Sequence, residues 1–533
     1  MERTIHSKGK TMATNSKVAV QGLVSTNPAT GEVIGTYACA TAEDVRAAVQ
    51  AARRAQPAWA ALGVHKRGAI LRKFRKLLNE HTLEVAELIS REAGKPVPEA
   101  ISSEVLVVMD ATEFAARSAV EVLRDEPVPH SNPAMKTKRG RLVHEAYGVI
   151  GIIAPWNYPF STPSIESISA LALGNAVVLK PSELTPACAL KIEALLHQAG
   201  VPKDVFQVVL GEGPVGAALL DSRIDKVVFT GSVATGRRVA VVAAQKFLPC
   251  VLELGGKDAF LVLEDADLEV ASSGAVWGAF MNAGQTCLSV ERCYVHRSVF
   301  DNFVARCVEK TKALKVGNGL DRETDVGPMI DARQLKVVED QLADAVAKGA
   351  KILVGGKRLT ELGPNFYAPT VVTSITPEMK LLREETFGPV LPIMPFDNEE
   401  QAVALANGSE FGLGASVWTK DRKRGEAIAE RIEAGTVIVN DAIIGYGICE
   451  APHGGFKDSG IGRTHGLMGM RELVRSRYID VDRVMMKKPW WYGYKGAFRE
   501  QIHGFGDTLH GTTVGKRLKG ALKSAGILTR PKV

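Results

Sequence analysis

Residues Lys226 to Ala240 read KVVFTGSVATGRRVA, a short aliphatic run that passes through a glycine into a helical pattern. Gly231 and Gly236 bracket a strand-to-helix turn whose backbone N–H groups and helix N-terminus can face a pyrophosphate. The usual G-x-G-x-x-G is absent, so a plain tight turn accounts for the same two glycines equally well. The flanks settle the fold class. GVIGIIAP from Gly148, AVVLKP from Ala176, VFQVVLG from Val205 and CVLELGG from Cys250 are aliphatic runs of strand length, and helical stretches such as ACALKIEALLHQAG (Ala187 to Gly200) lie between them. Such alternation predicts right-handed βαβ units and a parallel sheet covered on both faces. A dinucleotide site is expected at the carboxyl ends of the strands. A second alternating region, from about Ala259 to Asn440, predicts a second α/β domain.

Upstream, Glu43 to Glu126 carries apolar residues three and four apart, with Gly94 and Pro96 as stop signals. Prolines and charges then lead into the alternating RLVHEAY (Arg141 to Tyr147) of an exposed strand, the pattern of an arm. The chain has 533 residues, 46% apolar and 23% charged, proportions of an ordinary globular protein of two to four domains. No apolar run reaches the ~18 residues of a membrane span. The first 17 residues are basic and polar without an apolar core behind them, which argues against a secretory signal and leaves Met12 a candidate start. Seven scattered cysteines, with no C-x-x-C pair and no histidine at ligand spacing, argue against a disulfide framework or a metal site. They fit a reducing, cytoplasmic compartment. The net charge of +7 belongs to the tail: Val484 to Val533 holds ten Lys or Arg against Glu500 and Asp507, and everything before it sums to −1. A nucleic-acid partner for the whole protein therefore has no support.

One cysteine stands apart. Cys287, in NAGQTCLSVER (Asn282 to Arg292), has small and polar neighbours where Cys188, Cys250 and Cys293 sit in apolar strand or helix patterns. With APWNYPF (Ala154 to Phe160), VVLKPSELTP (Val177 to Pro186), FTGSVATG (Phe229 to Gly236), LELGGKD (Leu252 to Asp258) and EETFGPV (Glu384 to Val390), this stretch resembles the NAD(P)-dependent aldehyde dehydrogenase superfamily in order and spacing. The resemblance runs from about Asn27 to Arg483, about 85 per cent of the chain.

The resemblance implies an α/β fold with a Rossmann-type cofactor domain (residues 18–127 and 148–254) and an α/β catalytic domain (255–471). It adds a small β oligomerisation arm (128–147 and 472–484) and leaves 485–533 as a basic, aromatic extension. It makes Cys287 the nucleophile and gives the oxyanion to the Asn157 side chain and the Cys287 backbone N–H, although Asn157 in a Trp-Asn-Tyr-Pro run could instead cap a turn. Glu253 becomes the base that activates water on a thioester, with pairing to a lysine such as Lys257 as the alternative. A thiol is a poor nucleophile until ionised, so nearby donors or a base are expected to raise its thiolate fraction. The implied cofactor contacts are Lys180 and Glu183 at the adenosine ribose, Ser232 at the pyrophosphate, and Glu385 with Phe387 at the nicotinamide end. Ile153, Pro155, Trp156, Ser182 and Gly213 complete that site together with Gly216, Phe229, Gly231, Gly236 and Leu254. A carboxylate at Glu183 would accept from a 2′-hydroxyl and repel a 2′-phosphate, which favours NAD over NADP.

The expected reaction is oxidation of a small-molecule aldehyde to its acid through a thiohemiacetal and a thioester. The rivals are a coenzyme A-acylating dehydrogenase, against which Glu253 argues, and a non-catalytic nucleotide-binding scaffold. The substrate segments depart from the common pattern: Pro452-His453-Gly454-Gly455 stands for P-F-G-G, and Gly462-Arg463-Thr464 for G-R-E. The arm resembles the family's oligomerisation hairpin, so a homodimer or homotetramer is expected. In the tail, Val514, Leu518, Ala521 and Leu522 fall on one helical face with Lys516, Arg517, Lys519 and Lys523 on the others, behind the Trp490-Trp491 pair. Two readings stand: peripheral contact with an anionic membrane through 486–533, or packing on the protein's own body or across a subunit interface.

Overall fold

The computed structural model describes residues 22–485, 488, 490–492, 494 and 496–525. The N-terminal segment that bears the leader and Met12 readings, and residues 526–533 of the tail, lie outside the described residues. The chain divides into two units, Met1–Arg124 with His144–Ser476, and Asp125–Val143 with Arg477–Val533.

The first unit holds both predicted sheets. Strands β1 (Val149–Ile153), β2 (Ala176–Lys180), β3 (Phe206–Val208), β4 (Lys226–Thr230) and β5 (Cys250–Glu253) form a parallel sheet in the order β5-β4-β1-β2-β3, with the short antiparallel strand Gly460–Ile461 beyond β5. This is the doubly wound order that places a ligand crevice at the carboxyl ends of β1 and β4. Val149, Ile150, Val177, Val178 and Val227 are fully buried, because helices cover both faces and leave no solvent side to alternate toward. The second sheet comprises β6 (Asp258–Val262), β7 (Val290–His296), β8 (Lys351–Val354), β9 (Thr370–Thr373), β10 (Val390–Phe396), β11 (Gly414–Trp418) and β12 (Thr436–Val439), ordered β8-β9-β10-β7-β6-β11-β12. All its pairings are parallel except β8 with β9. Each sheet has its own apolar core, the first also taking in the helices of Ala42–Val122.

In the second unit, Glu126–Val128 pairs antiparallel with Lys138–Ala146, and Val474–Asp482 lies on the other side of that strand. Pairing starts two residues ahead of the arm boundary read from the sequence; Pro127, which has no N–H to donate, is accommodated because its strand is at the edge. The tail forms two packed helices, Phe498–His510 and Val514–Ser524. Gly504 and Gly520 let them approach: a Cβ on Gly504 would stand 2.8 Å from the Gly520 carbonyl oxygen. Val514, Leu518 and Leu522 are 75%, 62% and 80% exposed, so the apolar ridge of the last helix is open.

Candidate active site

A cavity of about 440 Å³ in the first unit is lined by Pro155 to Asn157, by Thr230 to Ser232, by Glu253 to Gly255, and by Cys287, Glu385 and Phe387. Three of these segments lie at the carboxyl ends of β1, β4 and β5, so the sheet order itself brings them together. The three residues expected to do chemistry, Cys287, Asn157 and Glu253, face one space.

A buried carboxylate fixes the loop that carries Asn157. Glu104 accepts hydrogen bonds from the Phe160 and Ser161 amides, 2.8 and 2.9 Å, at the start of the helix Ser161–Ala172, and its other oxygen pairs with Lys95 at 2.6 Å. A carboxylate at a helix N-terminus meets both orphan amides and the positive end of the helix dipole. Asn157 does not cap its own turn. Its Nδ2 donates to the Gln285 carbonyl at 3.1 Å, while Asn282 donates from one amide group to both the Asn157 and Gln285 carbonyls at 3.0 Å. Asn282 and Ala283 have positive φ, and the Ile330 amide holds the Gln285 side chain at 2.8 Å. The tight turn is thus tied down two residues before Cys287, and Thr286 bonds the Tyr158 hydroxyl at 2.9 Å.

Cys287 is half-buried. Burial, then the charges of Asp258, Glu385 and Glu253, push its thiol well above the ordinary cysteine range, against a smaller pull from the Leu288 amide. The sequence reading asked for neighbours that favour the thiolate; the resting cavity instead surrounds the sulfur with carboxyl groups and keeps the proton on it.

Glu253 does not pair with Lys257, which is bound at 2.5 Å to Glu291. Neither Glu253 oxygen accepts a hydrogen bond in good geometry. Burial foremost, then Glu166, raises its pKa well above the usual carboxylate range, and Arg463 and the Thr464 amide offset this only in part. The His453 ring nitrogen stands 3.9 Å away. His453, His465 and Tyr446 stack edge to face, and Tyr446 donates to Thr162 at 3.1 Å. Burial lowers the two imidazoles to about 4 and about 3, so both are neutral near pH 7. Burial likewise raises Glu166 to about 8, although Thr230 donates to it at 2.9 Å.

At the end expected to hold the cofactor, the loop after Glu384 hangs on the Lys257–Glu291 pair: Glu291 accepts from the Thr386 and Phe387 amides at 2.8 Å each, and Lys257 donates to Thr386 at 2.9 Å. Phe387, itself at positive φ, meets Trp156 edge to face at 5.4 Å. Glu385 accepts from the Gly256 amide at 3.0 Å, and burial lifts its carboxyl to about 8. Gly231, Ser232 and Leu254 also line the cavity. Ser232 caps the helix Val233–Gln245 by accepting from the Thr235 amide.

The other expected cofactor residues surround the strand ends without lining the cavity. Ile153 is register partner to both Lys180 and Phe229 across β2 and β4, and Gly216 packs beside it. Gly213 starts the helix Gly213–Asp221, and Ser182 accepts from the Leu184 amide at 3.2 Å. Lys180 is buried and bound at 3.3 Å to the half-exposed Glu183, so the two are a pair at the end of β2 and not an ordinary surface couple. Gly236 has a packing role: its amide is used inside the helix, bonding Ser232 at 2.8 Å, and a Cβ there would collide with Leu254. A dinucleotide fits this frame. Gly231 leaves the backbone open beside a capped helix N-terminus, and carboxylates at Glu183 and Glu385 suit ribose hydroxyls. Among the described residues no group of three or more His, Cys, Asp or Glu is placed to hold a metal ion.

Sequence reasoning missed Glu104, Glu166, Glu291, Tyr446 and His465. Glu291 lay within the quoted cysteine stretch and Glu166 five residues into a helix after Phe160, but Glu291 acts on partners 34 to 96 residues distant and Glu166 on one 64 residues distant.

Comparison with known proteins adds a consistent result. The family model described as Aldehyde dehydrogenase family matches residues 16–479. A protein of Mycolicibacterium smegmatis, provisionally named succinate-semialdehyde dehydrogenase (NADP(+)), is 40% identical over 462 residues, 86% of this chain and 89% of that protein. The 4,4'-diapolycopene aldehyde oxidase of Methylomonas sp is 38% identical over 490 residues, covering 92% and 91%. The NAD+ complex of an aldehyde dehydrogenase from Bacillus cereus matches with a TM-score of 0.84 at 36% identity, covering 87% of this chain and 93% of that one.

Proposed function

The chain belongs to the aldehyde dehydrogenase family and carries out NAD(P)-dependent aldehyde oxidation, and on that premise we propose that Cys287, Asn157 and Glu253 perform the chemistry and that water completes it. The observation that supports this reading is the meeting of the three side chains on one cavity, with Glu253 buried and unpartnered. The Cys287 sulfur adds to the aldehyde carbon, and its proton passes to water in the open cavity as the C–S bond forms. Asn157, already turned toward the Gln285 carbonyl and carrying a second N–H, donates with the Cys287 amide to the new oxyanion. The bound cofactor supplies the hydride acceptor that turns the thiohemiacetal into a thioester. Glu253 then takes a proton from water, which attacks the thioester; the C–S bond breaks, the acid leaves and the thiol is restored. Burial raises the pKa of Glu253 well above the usual carboxylate range, which makes it a stronger base than an exposed glutamate. The test is turnover to free acid without coenzyme A, together with mass spectrometry of the trapped enzyme. An acyl adduct on Cys287 and acid in equal yield with NADH are expected; a requirement for coenzyme A overturns the water step.

NAD is the preferred cofactor in this reading, although the relatives named for succinate semialdehyde are named for NADP(+). The support is the Glu183 carboxylate, held by Lys180, which would repel a 2′-phosphate. At least about a tenfold higher kcat/KM with NAD is expected, and equal efficiencies overturn it. The arm, with its antiparallel strands, supports assembly as a homodimer or homotetramer, to be read by analytical ultracentrifugation; a monomer refutes it. The open Val514, Leu518, Leu522 ridge, flanked by Lys516, Arg517, Lys519 and Lys523, supports contact with an anionic lipid surface. No salt-sensitive co-sedimentation with anionic vesicles would remove that contact.

A further inference from the structure

We propose that the aldehyde is uncharged and carries an elongated apolar chain, because its entrance is apolar and open while nothing in the cavity can neutralise an anion. The inference rests on the catalytic reading above and names the substrate class of the same site.

The charge balance of the cavity points one way. Among its described lining residues there is no Lys or Arg; the ionisable groups are the carboxyls of Glu166, Glu253 and Glu385, the Cys287 thiol, Tyr158 and Tyr446, and the two neutral histidines. The neighbouring cations are committed elsewhere. Lys95 is bound to Glu104, and the Arg463 guanidinium donates to the Gly455 and Gly462 carbonyls. A substrate carboxylate brought here would lose its water and find no cationic side chain to pair with.

The entrance is built from apolar residues that are open to solvent. Trp277 and Ile444 line the cavity and are still 43% and 41% exposed. Exposed apolar groups gathered at one opening mark a binding surface. Two segments face each other across it. A Cβ placed on Gly447 would lie in van der Waals contact with Ile444, 3.7 Å, and Val107, 3.9 Å, so the missing side chain leaves a gap about one methylene wide between the 443–448 loop and the helix that starts at Leu106. Such a slot takes a chain lengthwise, with its aldehyde carbon at Cys287.

The experiment uses the full-length enzyme with NAD and compares propanal, hexanal, decanal and succinate semialdehyde. The expected kcat/KM rises about three- to fourfold per methylene until the slot is filled, and decanal exceeds succinate semialdehyde by at least about a hundredfold. Succinate semialdehyde equal to or better than decanal overturns the proposal. Calorimetric binding of the unreactive amides decanamide and succinamate reads the slot without turnover. Preference for decanamide with no NADH from any aldehyde would sink the catalytic reading and leave the substrate class standing; succinamate bound as tightly as decanamide would sink the substrate class alone. Gly447→Phe, checked for folding by its melting temperature, should lower kcat/KM for decanal at least tenfold more than for propanal. An equal fall for both refutes the passage.

Discussion

Two walls of the same cavity are finished differently. On the Cys287 wall the polar groups of Asn157, Asn282, Gln285 and Thr286 all have protein partners. On the Glu253 wall both Glu253 oxygens, one oxygen of Glu166, and one ring nitrogen each of His453 and His465 are buried without one. A hydrogen-bonded network holds a geometry, whereas buried polar atoms with no protein partner are where water and protons are exchanged. The contrast separates positioning from proton handling, and it says how each wall should respond to substitution: the first in rate at every pH, the second in pH dependence.

The largest effect belongs to the first wall. Cys287→Ala should lower NADH formation at least about 10⁴-fold at every pH, because the loss of a nucleophile is not shared by its neighbours; residual NADH formation within a hundredfold of the parent breaks the assignment. Asn157→Ala should cost about 10² to 10³ in kcat, the usual weight of one oxyanion donor, with the parent's pH profile unchanged. A changed profile would erase the distinction between the walls. Glu253→Gln should slow steady turnover about a hundredfold while a first burst of NADH persists, since the base acts after the thioester forms. The parent rate should climb as pH rises above the ordinary carboxylate range, because a buried carboxyl whose pKa is raised works only once its proton leaves, and the Gln variant should lose that climb.

The smallest effect is on stability. Glu166 titrates near 4.5 unfolded and about 8 folded, so folding favours its protonated form. Its stabilising contribution is complete below about pH 4.5 and lost as pH rises to about 8. Glu166→Gln keeps the shape and the Thr230 contact, so it should leave the melting temperature unchanged at pH 5 and raise it by roughly 2 °C at pH 9. A uniform shift at both pH values would place the effect in packing instead.

How much of this was legible in the sequence follows the same division. The strand-to-helix turn at Gly231 and the position of Cys287 are local patterns, so VVF-TGS and NAGQTC announce them. Asn157 was readable only as one of two things, because the Gln285 carbonyl that decides between them lies 128 residues away. The proton-handling wall joins a helix residue, Glu166, to Tyr446, His453 and His465 from loops some 300 residues on, with no shared spacing to reveal it. Glu253 was recognised and one alternative partner, Lys257, was named; only the fold shows that Glu291 has taken that lysine. The substituted PHGG and GRT segments marked where the chain departs from its relatives without saying what replaces the common side chains.

The protonated state of Cys287 has a consequence for the enzyme at rest. Peroxides and alkylating agents attack sulfur through its anion, and here the anion is disfavoured by burial and by three carboxyl neighbours. Between turnovers the proposed nucleophile is therefore a poor target for oxidative damage, a form of chemical shelter that a permanently ionised cysteine would lack.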